Sequence, residues 1–266
     1  MPPQIVSATT AAKPAASPAI ITDGSIPGTS SKLVNMPPRR RLIVSISGKP
    51  KEGKTHFSLT APGPIAIQNI DDGLEGVAEK FISDKEIHEA KYAIGLPMKQ
   101  SECQKVYDQL INDYKAFLGS SHIRTIVHDT STELWEIIRM NRLGKLAQVL
   151  PHNYAPANAD FREMIRLAYQ SDANLILLGK SKKEYINEQF SGKYIRAGFS
   201  DLEFLVQVVG DMSKLSDGRF KLTVKSCRQN TSLEGKDFVG DDCNFLSLAK
   251  AVYPSSTTEE WLRGSV

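Results

Sequence analysis

Cysteine is scarce in this sequence, and long hydrophobic runs are missing. Three cysteines among 266 residues lie far apart and form no C-x-x-C pair, which argues against a disulfide framework and a cysteine-rich metal site. No apolar run approaches the roughly 20 residues of a membrane span, and the first residues lack the basic start and apolar core of a secretory signal. We therefore expect a cytoplasmic protein with no membrane partner.

An excess of charge of either sign is also missing. The chain has 33 Lys and Arg against 30 Asp and Glu, a formal net charge of +3, so a nucleic-acid surface would have to be a local basic patch. Aromatic residues are absent from residues 1–38, which are rich in Ala, Ser, Thr and Pro and cannot bury enough apolar surface to offset chain entropy. We predict a disordered arm over 1–38, either idle or bound to a partner, a folded core over 39–254 and a C-terminal tail over 255–266.

What the sequence does contain is an alternation of strand-like and helix-like segments. Four short apolar runs are typical of buried parallel strands: 41–47, 65–70, 123–129 and 173–179. Helical patterns separate them or follow them: 54–61, 73–81, 101–119, 132–150 and 158–171. This order predicts an α/β fold with a mostly parallel twisted sheet and helices on both faces.

Beyond residue 180 the pattern changes to alternating strands. Residues 184–198 predict a hairpin that turns at Ser191-Gly192, and residues 204–228 predict a second hairpin that turns at Ser216-Asp217-Gly218. We expect these strands to extend the same sheet in antiparallel order, on its C-terminal side. A last helix is predicted over 243–254.

The stretch "SISGKPKEGKTHFS" matches the phosphate-loop pattern G-x-x-x-x-G-K-[ST], between a predicted strand and a predicted helix. Glycines let backbone N–H groups curl around phosphate oxygens, and the helix N-terminus favours the same anion. Lys54 would reach the β- and γ-phosphates as a catalytic cation, and the Thr55 hydroxyl would ligate Mg²⁺. The alternative is a solvated, lysine-rich turn. The predicted binding residues are Gly48, Lys49, Pro50, Lys51, Glu52, Gly53, Lys54, Thr55 and His56.

A second Mg²⁺ ligand is expected at the tip of a nearby strand. Asp129 ends the strand-like run "TIVHD", and we favour it as this ligand. The alternative is a helix cap, a role that Thr130 and Ser131 could share. His128 is expected to point to the other side of the strand, into the core.

Hydrolysis also needs a carboxylate that orients or deprotonates water. Asp71, Asp72 and Glu75 follow the second strand. If this strand neighbours the phosphate-loop strand, its C-terminal end brings them to the γ-phosphate. Asp72 and Glu75 are the preferred pair, and the alternative is a polar loop with a helix-capping Asp.

The chain resembles the RecA-like phosphate-loop ATPases over about residues 40–230. The segments that carry this resemblance are "SISGKPKEGKTHF", "IAIQNIDDGLEG", "TIVHDTSTELWE", "NLILLGKSKKE" and "FKLTVKSCRQN". More narrowly, they resemble the small AAA-domain nucleotide-binding family common in bacteriophage genomes, which includes single-strand-annealing recombination proteins. The resemblance implies a RecA-like fold, ATP and Mg²⁺ as cofactors, a catalytic acid among residues 71–75, and self-association into a ring or filament. If the chain is phage-encoded, its compartment is the cytoplasm of a bacterial host.

The resemblance also assigns residues on late strands. Lys225 and Arg228 match a basic pair that reaches a neighbouring subunit's nucleotide, where it would stabilise charge on the transferred phosphate; a solvated strand edge is the equal alternative. Relatives usually carry a polar γ-phosphate sensor after the fourth strand. Here Gly179-Lys180-Ser181 stand in that place, so Lys180 or Ser181 would substitute or the sensing is lost.

Basic residues interleaved with aromatics follow the fourth strand, in the region that faces the bound strand in RecA-like folds. Charges on phosphates and rings under bases suit single-stranded DNA, although a hairpin with solvated lysines is the alternative. Residues 149–161 are predicted to form a second mobile loop. The predicted DNA-binding residues are Lys180, Lys182, Lys183, Tyr185, Lys193 and Arg196, with Tyr194 beside them.

The sequence is compatible with three functions. The favoured one is an ATPase that acts on single-stranded DNA in phage-type recombination, annealing or replication, with a single-strand-binding protein as a further partner. The second is an ATPase with another client. The third is a nucleotide-binding accessory or structural protein without DNA-stimulated hydrolysis.

Overall fold

The structure is a computed structural model that describes residues 41–92, 94, 98–144 and 150–263. The arm predicted over 1–38 lies outside the described residues. So do residues 145–149, which fall within the predicted helix 132–150, and residues 264–266 at the end of the predicted tail.

The described residues form nine strands in one sheet and seven α-helices. The strands are β1 (Ile43–Gly48), β2 (Ile65–Asn69), β3 (Ile87–Lys91), β4 (Thr125–Asp129), β5 (Asn174–Ile186), β6 (Gln189–Arg196), β7 (Val208–Lys214), β8 (Phe220–Cys227) and β9 (Asp237–Val239). The helices are α1 (Lys54–Leu59), α2 (Gln100–Gly119), α3 (Ser131–Leu143), α4 (Ala155–Gln170), α5 (Leu202–Leu205), α6 (Phe245–Val252) and α7 (Thr258–Arg263).

The strand order is β3-β2-β4-β5-β1-β7-β8-β9, with β6 paired to β5. The six strands from β3 to β7 run parallel, whereas β6, β8 and β9 pair antiparallel. The predicted α/β sheet with antiparallel strands on its C-terminal side is therefore confirmed. The condition stated for the acidic loop is not met: β2 does not neighbour β1, because β4 and β5 lie between them.

A separate apolar core covers each face of the sheet. On one face α2, α3 and α4 contribute buried residues such as Tyr114, Trp135 and Phe161. On the other face α1 and the C-terminal helices contribute Phe57 and Phe245. Alternate residues of the parallel strands point into the two cores, which explains why these strands read as continuous apolar runs.

The helix boundaries follow from local chemistry. Thr130 caps α3 by accepting a hydrogen bond from the backbone N–H of Glu133, and Gly144, at φ 70°, ends it. Asn244 caps α6 through a 2.8 Å hydrogen bond from the Ser247 N–H. The segment 73–81, predicted as a helix, forms only a 3₁₀ turn over Ala78–Lys80.

The first antiparallel hairpin turns four residues earlier than predicted. Ile186 pairs with Gln189, and the two residues between them, Asn187 and Glu188, both have positive φ, as a two-residue hairpin loop of matching twist requires. Gly192 lies inside β6, where the register shifts, so it serves a bulge rather than a turn. The second predicted hairpin is confirmed, as β7 and β8.

Two segments predicted as a mobile loop and a C-terminal tail contain helices. Residues 149–161 were expected to form a loop, but Pro151–Tyr154 is a 3₁₀ helix and α4 begins at Ala155, where it buries Phe161. The predicted tail contains α7, whose Trp261 is only 2% exposed and donates to the Ser256 hydroxyl at 2.9 Å. Within the described residues, no helix is long and apolar enough to cross a membrane.

Candidate nucleotide-binding site

The loop from β1 to α1 opens onto a cavity of about 660 Å³ at the carboxyl edge of the parallel strands. Gly53 has a φ of 87°, and a Cβ there would lie 2.6 Å from the Phe220 ring. A Cβ on Gly48 would lie 2.9 Å from the Met212 carbonyl oxygen. Both glycines of the pattern are therefore required by space, and Gly53 also by backbone conformation.

The Lys54 side chain folds back onto the phosphate loop. Its Nζ donates to the carbonyl oxygens of Gly48 at 3.0 Å and Lys49 at 2.7 Å. Burial lowers the pKa of Lys54, while the charge of Asp129 opposes that shift. Lys54 therefore lines the cavity as a cation that can exchange two carbonyl contacts for phosphate oxygens.

Asp129 lies beside the phosphate loop, as predicted. The Thr55 hydroxyl donates to Asp129 Oδ2 at 2.8 Å, across the space between the start of α1 and the end of β4. Asp129 does not cap the following helix, because Thr130 holds that position. The peptide bond between these two residues is cis. A hydroxyl and a carboxylate side by side provide the hard oxygen ligands that Mg²⁺ prefers, so the pair fits this ion.

The environment of Asp129 changes its proton affinity. The residue is 2% exposed, and burial raises its pKa to about 6, while the hydrogen bond from Thr55 counteracts the shift. A divalent cation would supply the missing positive charge. The neighbouring His128 is fully buried against Tyr114, with ring centroids 5.0 Å apart, which agrees with its predicted place in the core.

The acidic loop after β2 reaches the cavity although β2 is distant from β1. Asp71 and Glu75 line the cavity. Asp72 does not: it has a φ of 59° and pairs with Lys91 at 2.8 Å on the outer side of the loop, with 74% of its side chain exposed. The geometry therefore corrects the preferred pair from Asp72 and Glu75 to Asp71 and Glu75.

Lys180 lies in the same cavity instead of on a DNA-binding surface. Its Nζ pairs with Glu133 and lies 3.4 Å from Asp71 Oδ2. Burial alone would lower the pKa of Lys180, but hydrogen bonds and charges from these two acids raise it overall. Ser181 also lines the cavity. Both residues hence stand where a γ-phosphate sensor would act, and the nucleic-acid role predicted for Lys180 is not supported by its position.

The rest of the cavity wall could not be foreseen from local sequence. Val77, Lys80 and Phe220 line it, and His56 packs between Phe81 and Phe220 with centroid distances of 5.1 and 5.4 Å. Phe220 belongs to β8, more than 160 residues after the loop in sequence. Only the pairing of β7 with both β1 and β8 brings it there.

Two loop residues predicted to bind nucleotide do not line the cavity. The Glu52 carboxylate accepts the Lys49 backbone N–H at 2.5 Å. The Lys49 ammonium lies 3.9 Å from the centroid of the Tyr194 ring. Lys49 therefore connects the phosphate loop to β6 through a cation–π contact.

The predicted intersubunit pair lies away from this chain's own cavity. Lys225 pairs with Asp211 at 3.3 Å, and Arg228 donates to the Phe204 carbonyl oxygen at 2.6 Å. Because β8 runs antiparallel to β7, Arg228 emerges at the edge of the sheet opposite the phosphate loop. Neither residue lines the cavity, so any contact with a nucleotide would have to be with that of another subunit.

The hairpin of β5 and β6 displays exposed aromatic rings and lysines. Tyr185, Phe190 and Tyr194 are 60%, 44% and 42% exposed, and adjacent rings lie 6.2 and 5.7 Å apart. Phe190, which the sequence analysis missed, also receives the Lys183 ammonium at 5.4 Å. Lys182 and Lys193 are exposed nearby.

Arg196 does not belong to this open surface. The side chain of Arg196 packs on Gly179, and its Cγ lies 3.5 Å from the position that a Cβ on Gly179 would occupy. Within the part of the chain that the structure describes, its Nε is buried without a hydrogen-bond partner, and burial lowers its pKa. Its predicted role in DNA binding is not supported by this position.

The phosphate loop lies between β1 and α1, and Asp129 ends β4, which is separated from β1 by β5. This arrangement defines the fold of a P-loop NTPase. The chain belongs to the AAA domain family, whose sequence model matches residues 40–225. It is accordingly a nucleotide-binding protein of the P-loop ATPase type. No curated protein matches the chain significantly.

Proposed function

We propose that this protein binds and hydrolyses ATP with Mg²⁺ and acts on single-stranded DNA in recombination, annealing or replication. The observation that carries the enzymatic part is the convergence of four groups on one cavity. Lys54 would hold the β- and γ-phosphates, Thr55 and Asp129 would hold the ion, and Asp71 or Glu75 would orient the attacking water.

The roles of the two acids follow from their surroundings. Asp71 faces the ammonium of Lys180, so it is suited to place that cation near the γ-phosphate. Glu75 lines the cavity and is exposed, which leaves its carboxylate open to a water molecule. Mg²⁺, when bound, would neutralise charge on the phosphates.

The DNA-binding part of the proposal is supported by the β5–β6 hairpin. Its three neighbouring, mutually tilted rings and exposed Lys182, Lys183 and Lys193 suit a strand whose bases stack and whose phosphates need cations. Lys49 links this hairpin to the phosphate loop through Tyr194. DNA that stacks on Tyr194 would displace this lysine, so DNA binding would be linked to the phosphate loop.

Self-association is proposed from the position of Arg228. The guanidinium is exposed at the far edge of the sheet, where it donates to the Phe204 carbonyl oxygen and also interacts with Tyr169 of its own chain. A head-to-tail neighbour could present its cavity there. If so, a mixture of Arg228→Ala and Lys54→Ala proteins should recover part of the hydrolysis that each lacks alone, and no recovery would contradict a role across subunits.

Binding measurements test the proposal before hydrolysis is considered. A fluorescent ATP analogue should bind the wild type with Mg²⁺ and should bind Lys54→Ala at least about tenfold more weakly, since a charge-assisted contact is lost. A labelled oligothymidylate should bind both proteins in the absence of nucleotide. Nucleotide binding without hydrolysis would favour the accessory-protein alternative, whereas unchanged nucleotide binding by Lys54→Ala would contradict the site.

A further inference from the structure

A second cluster of ligand-type side chains lies at the opposite edge of the sheet from the phosphate loop. Glu86 immediately precedes β3, His88 lies within β3, and His122 lies in the connection from α2 to β4. One atom from each side chain lies within 4.8 Å of the other two. All three side chains are about half exposed or more, so an ion could enter from solvent.

Both imidazoles point at the same carboxylate oxygen. Glu86 Oε1 lies 2.7 Å from His88 Nε2 and 2.9 Å from His122 Nε2, and the two rings are nearly perpendicular, at 75°. Glu86 and His88 are two residues apart on an extended strand, so their side chains leave from the same face. The cluster therefore links the edge strand β3 to the loop between α2 and β4.

The backbone holds these ligands in place independently of any ion. The Glu86 carbonyl accepts the Ile65 N–H at 2.9 Å, and the Pro64 carbonyl accepts the Arg124 N–H at 2.9 Å. The segments that carry the three ligands are thus both hydrogen-bonded to the start of β2. Lys85 does not add its charge to the cluster, because its ammonium donates to the carbonyls of Leu59 and Ala61.

The donor set and its spacing suit zinc. Two histidine nitrogens and one glutamate oxygen form a three-ligand set of a kind known to hold Zn²⁺ with a fourth position open to water, at bonds of about 2.0–2.2 Å. Tetrahedral ligands at such bonds lie about 3.3 Å apart. The observed separations of 2.7 and 2.9 Å are only slightly shorter, so small rotations of the side chains would admit the ion.

We propose that Glu86, His88 and His122 form a zinc site that clips the edge strand β3 to the connection before β4. The site stands apart from the nucleotide cavity and does not depend on the proposed function. Among the described residues, β3 is the outermost strand and pairs only with β2. A metal bond to His122 would therefore fix one end of β3. At the other end of β3, Lys91 pairs with Asp72 of the acidic loop.

Cobalt provides a spectroscopic probe for this site. Untagged full-length protein, dialysed against EDTA and then freed of it, is titrated with Co²⁺ at pH 7.5. One equivalent should produce the intense visible absorption of tetrahedral cobalt, which one equivalent of Zn²⁺ should abolish. Zinc should also raise the melting temperature by several degrees, because an ion that binds only the folded state stabilises it.

Matched variants decide whether the cluster is responsible. The double variant His88→Gln/His122→Gln should lose the absorption and the shift in melting temperature, while keeping the wild-type melting temperature in EDTA. His152→Gln removes an exposed histidine elsewhere, and Asp129→Asn removes the ion ligand proposed in the nucleotide site; both should retain the signal. Absence of stoichiometric cobalt binding by the wild type, or retention of it by the double variant, would overturn the proposal.

Discussion

The nucleotide cavity and the β5–β6 hairpin are adjacent, yet they are built on opposite principles. In the cavity, polar groups are partly or fully buried and satisfy one another: Thr55 bonds to Asp129, and Lys180 pairs with Glu133. On the hairpin, Tyr185 and Phe190 remain 60% and 44% exposed. The cavity has the preorganised polar groups that chemistry needs, whereas the hairpin leaves aromatic surface uncovered.

The nucleotide cavity is the region whose geometry is fixed by the fold. Each cavity group is positioned by a strand end or a helix start, so its chemistry is defined before any ligand arrives. The hairpin rings contact mainly one another and remain exposed, so the proposed binding to single-stranded DNA would cover them. Substitutions in the cavity should change ATP hydrolysis, whereas substitutions in the hairpin should change DNA binding.

The largest effect is expected from Asp129→Asn. Loss of the carboxylate should lower Mg²⁺-dependent ATP hydrolysis by about 100-fold or more, since electrostatic stabilisation at the reacting phosphate is a dominant catalytic contribution. Steady-state phosphate release measures it. Binding of oligothymidylate without nucleotide should stay within about twofold of the wild type; a parallel loss of DNA binding would mean that the two regions are not separable.

The acidic loop should show a sharp difference between neighbours. Glu75→Gln or Asp71→Asn should slow hydrolysis by about tenfold to 100-fold, in the range expected for loss of a general base or its positioning. Asp72→Asn, a matched control one residue away, should stay within about twofold, because its carboxylate pairs with Lys91 outside the cavity. Equal losses for Asp71 and Asp72 would refute the assignment of the loop.

The hairpin should respond through DNA binding alone. Lys182→Glu combined with Lys183→Glu should weaken oligothymidylate binding by about tenfold or more and reduce the salt slope of log K by about 1 to 1.5, since two phosphate contacts are lost. Hydrolysis without DNA should change little. The control is Lys105→Glu with Lys236→Glu, two exposed lysines outside the hairpin. If the control weakens binding equally, net charge rather than the hairpin is responsible.

The smallest expected effect concerns the pH dependence of stability. Burial raises the pKa of Asp129 to about 6 from an ordinary value of 3.8, so its contribution is most stabilising below pH 4 and is lost as the pH rises through about 6. Without Mg²⁺, the wild type should lose about 1 kcal/mol of unfolding free energy between pH 5 and pH 8 relative to Asp129→Asn. Urea unfolding measures this difference, and its absence would contradict the burial of a charged carboxylate.

The sequence predicted the central part of the fold and of the cavity because their signals are local. Gly48, Gly53, Lys54 and Thr55 lie within eight residues, and Asp129 ends an apolar run typical of a buried strand. The edge strand β3, with the sequence "IHEAK", was missed because it is half polar and half exposed. A strand of this kind has neither a continuous apolar run nor clean alternation.

The remaining errors come from contacts between distant parts of the chain. Asp71 and Asp72 are equivalent by sequence, and only the backbone at Asp72, with a φ of 59°, turns one carboxylate outward. Lys180 and Arg196 sit in a basic segment, but the pairing of β5 with β1 and β6 draws both inward. Phe220 enters the cavity wall through β8; the sequence predicted this strand as half of a hairpin, but no local pattern placed its first residue beside the phosphate loop.

The central claim is that one chain couples a hydrolytic cavity to a separate surface for single-stranded DNA. Its most direct test is the rate of ATP hydrolysis by the purified full-length protein, with Mg²⁺, in the presence and absence of saturating oligothymidylate. The account predicts hydrolysis that DNA stimulates severalfold in the wild type, and hydrolysis lost in Lys54→Ala under both conditions. A wild-type protein that binds ATP but shows no hydrolysis above the Lys54→Ala background, with or without DNA, would contradict it.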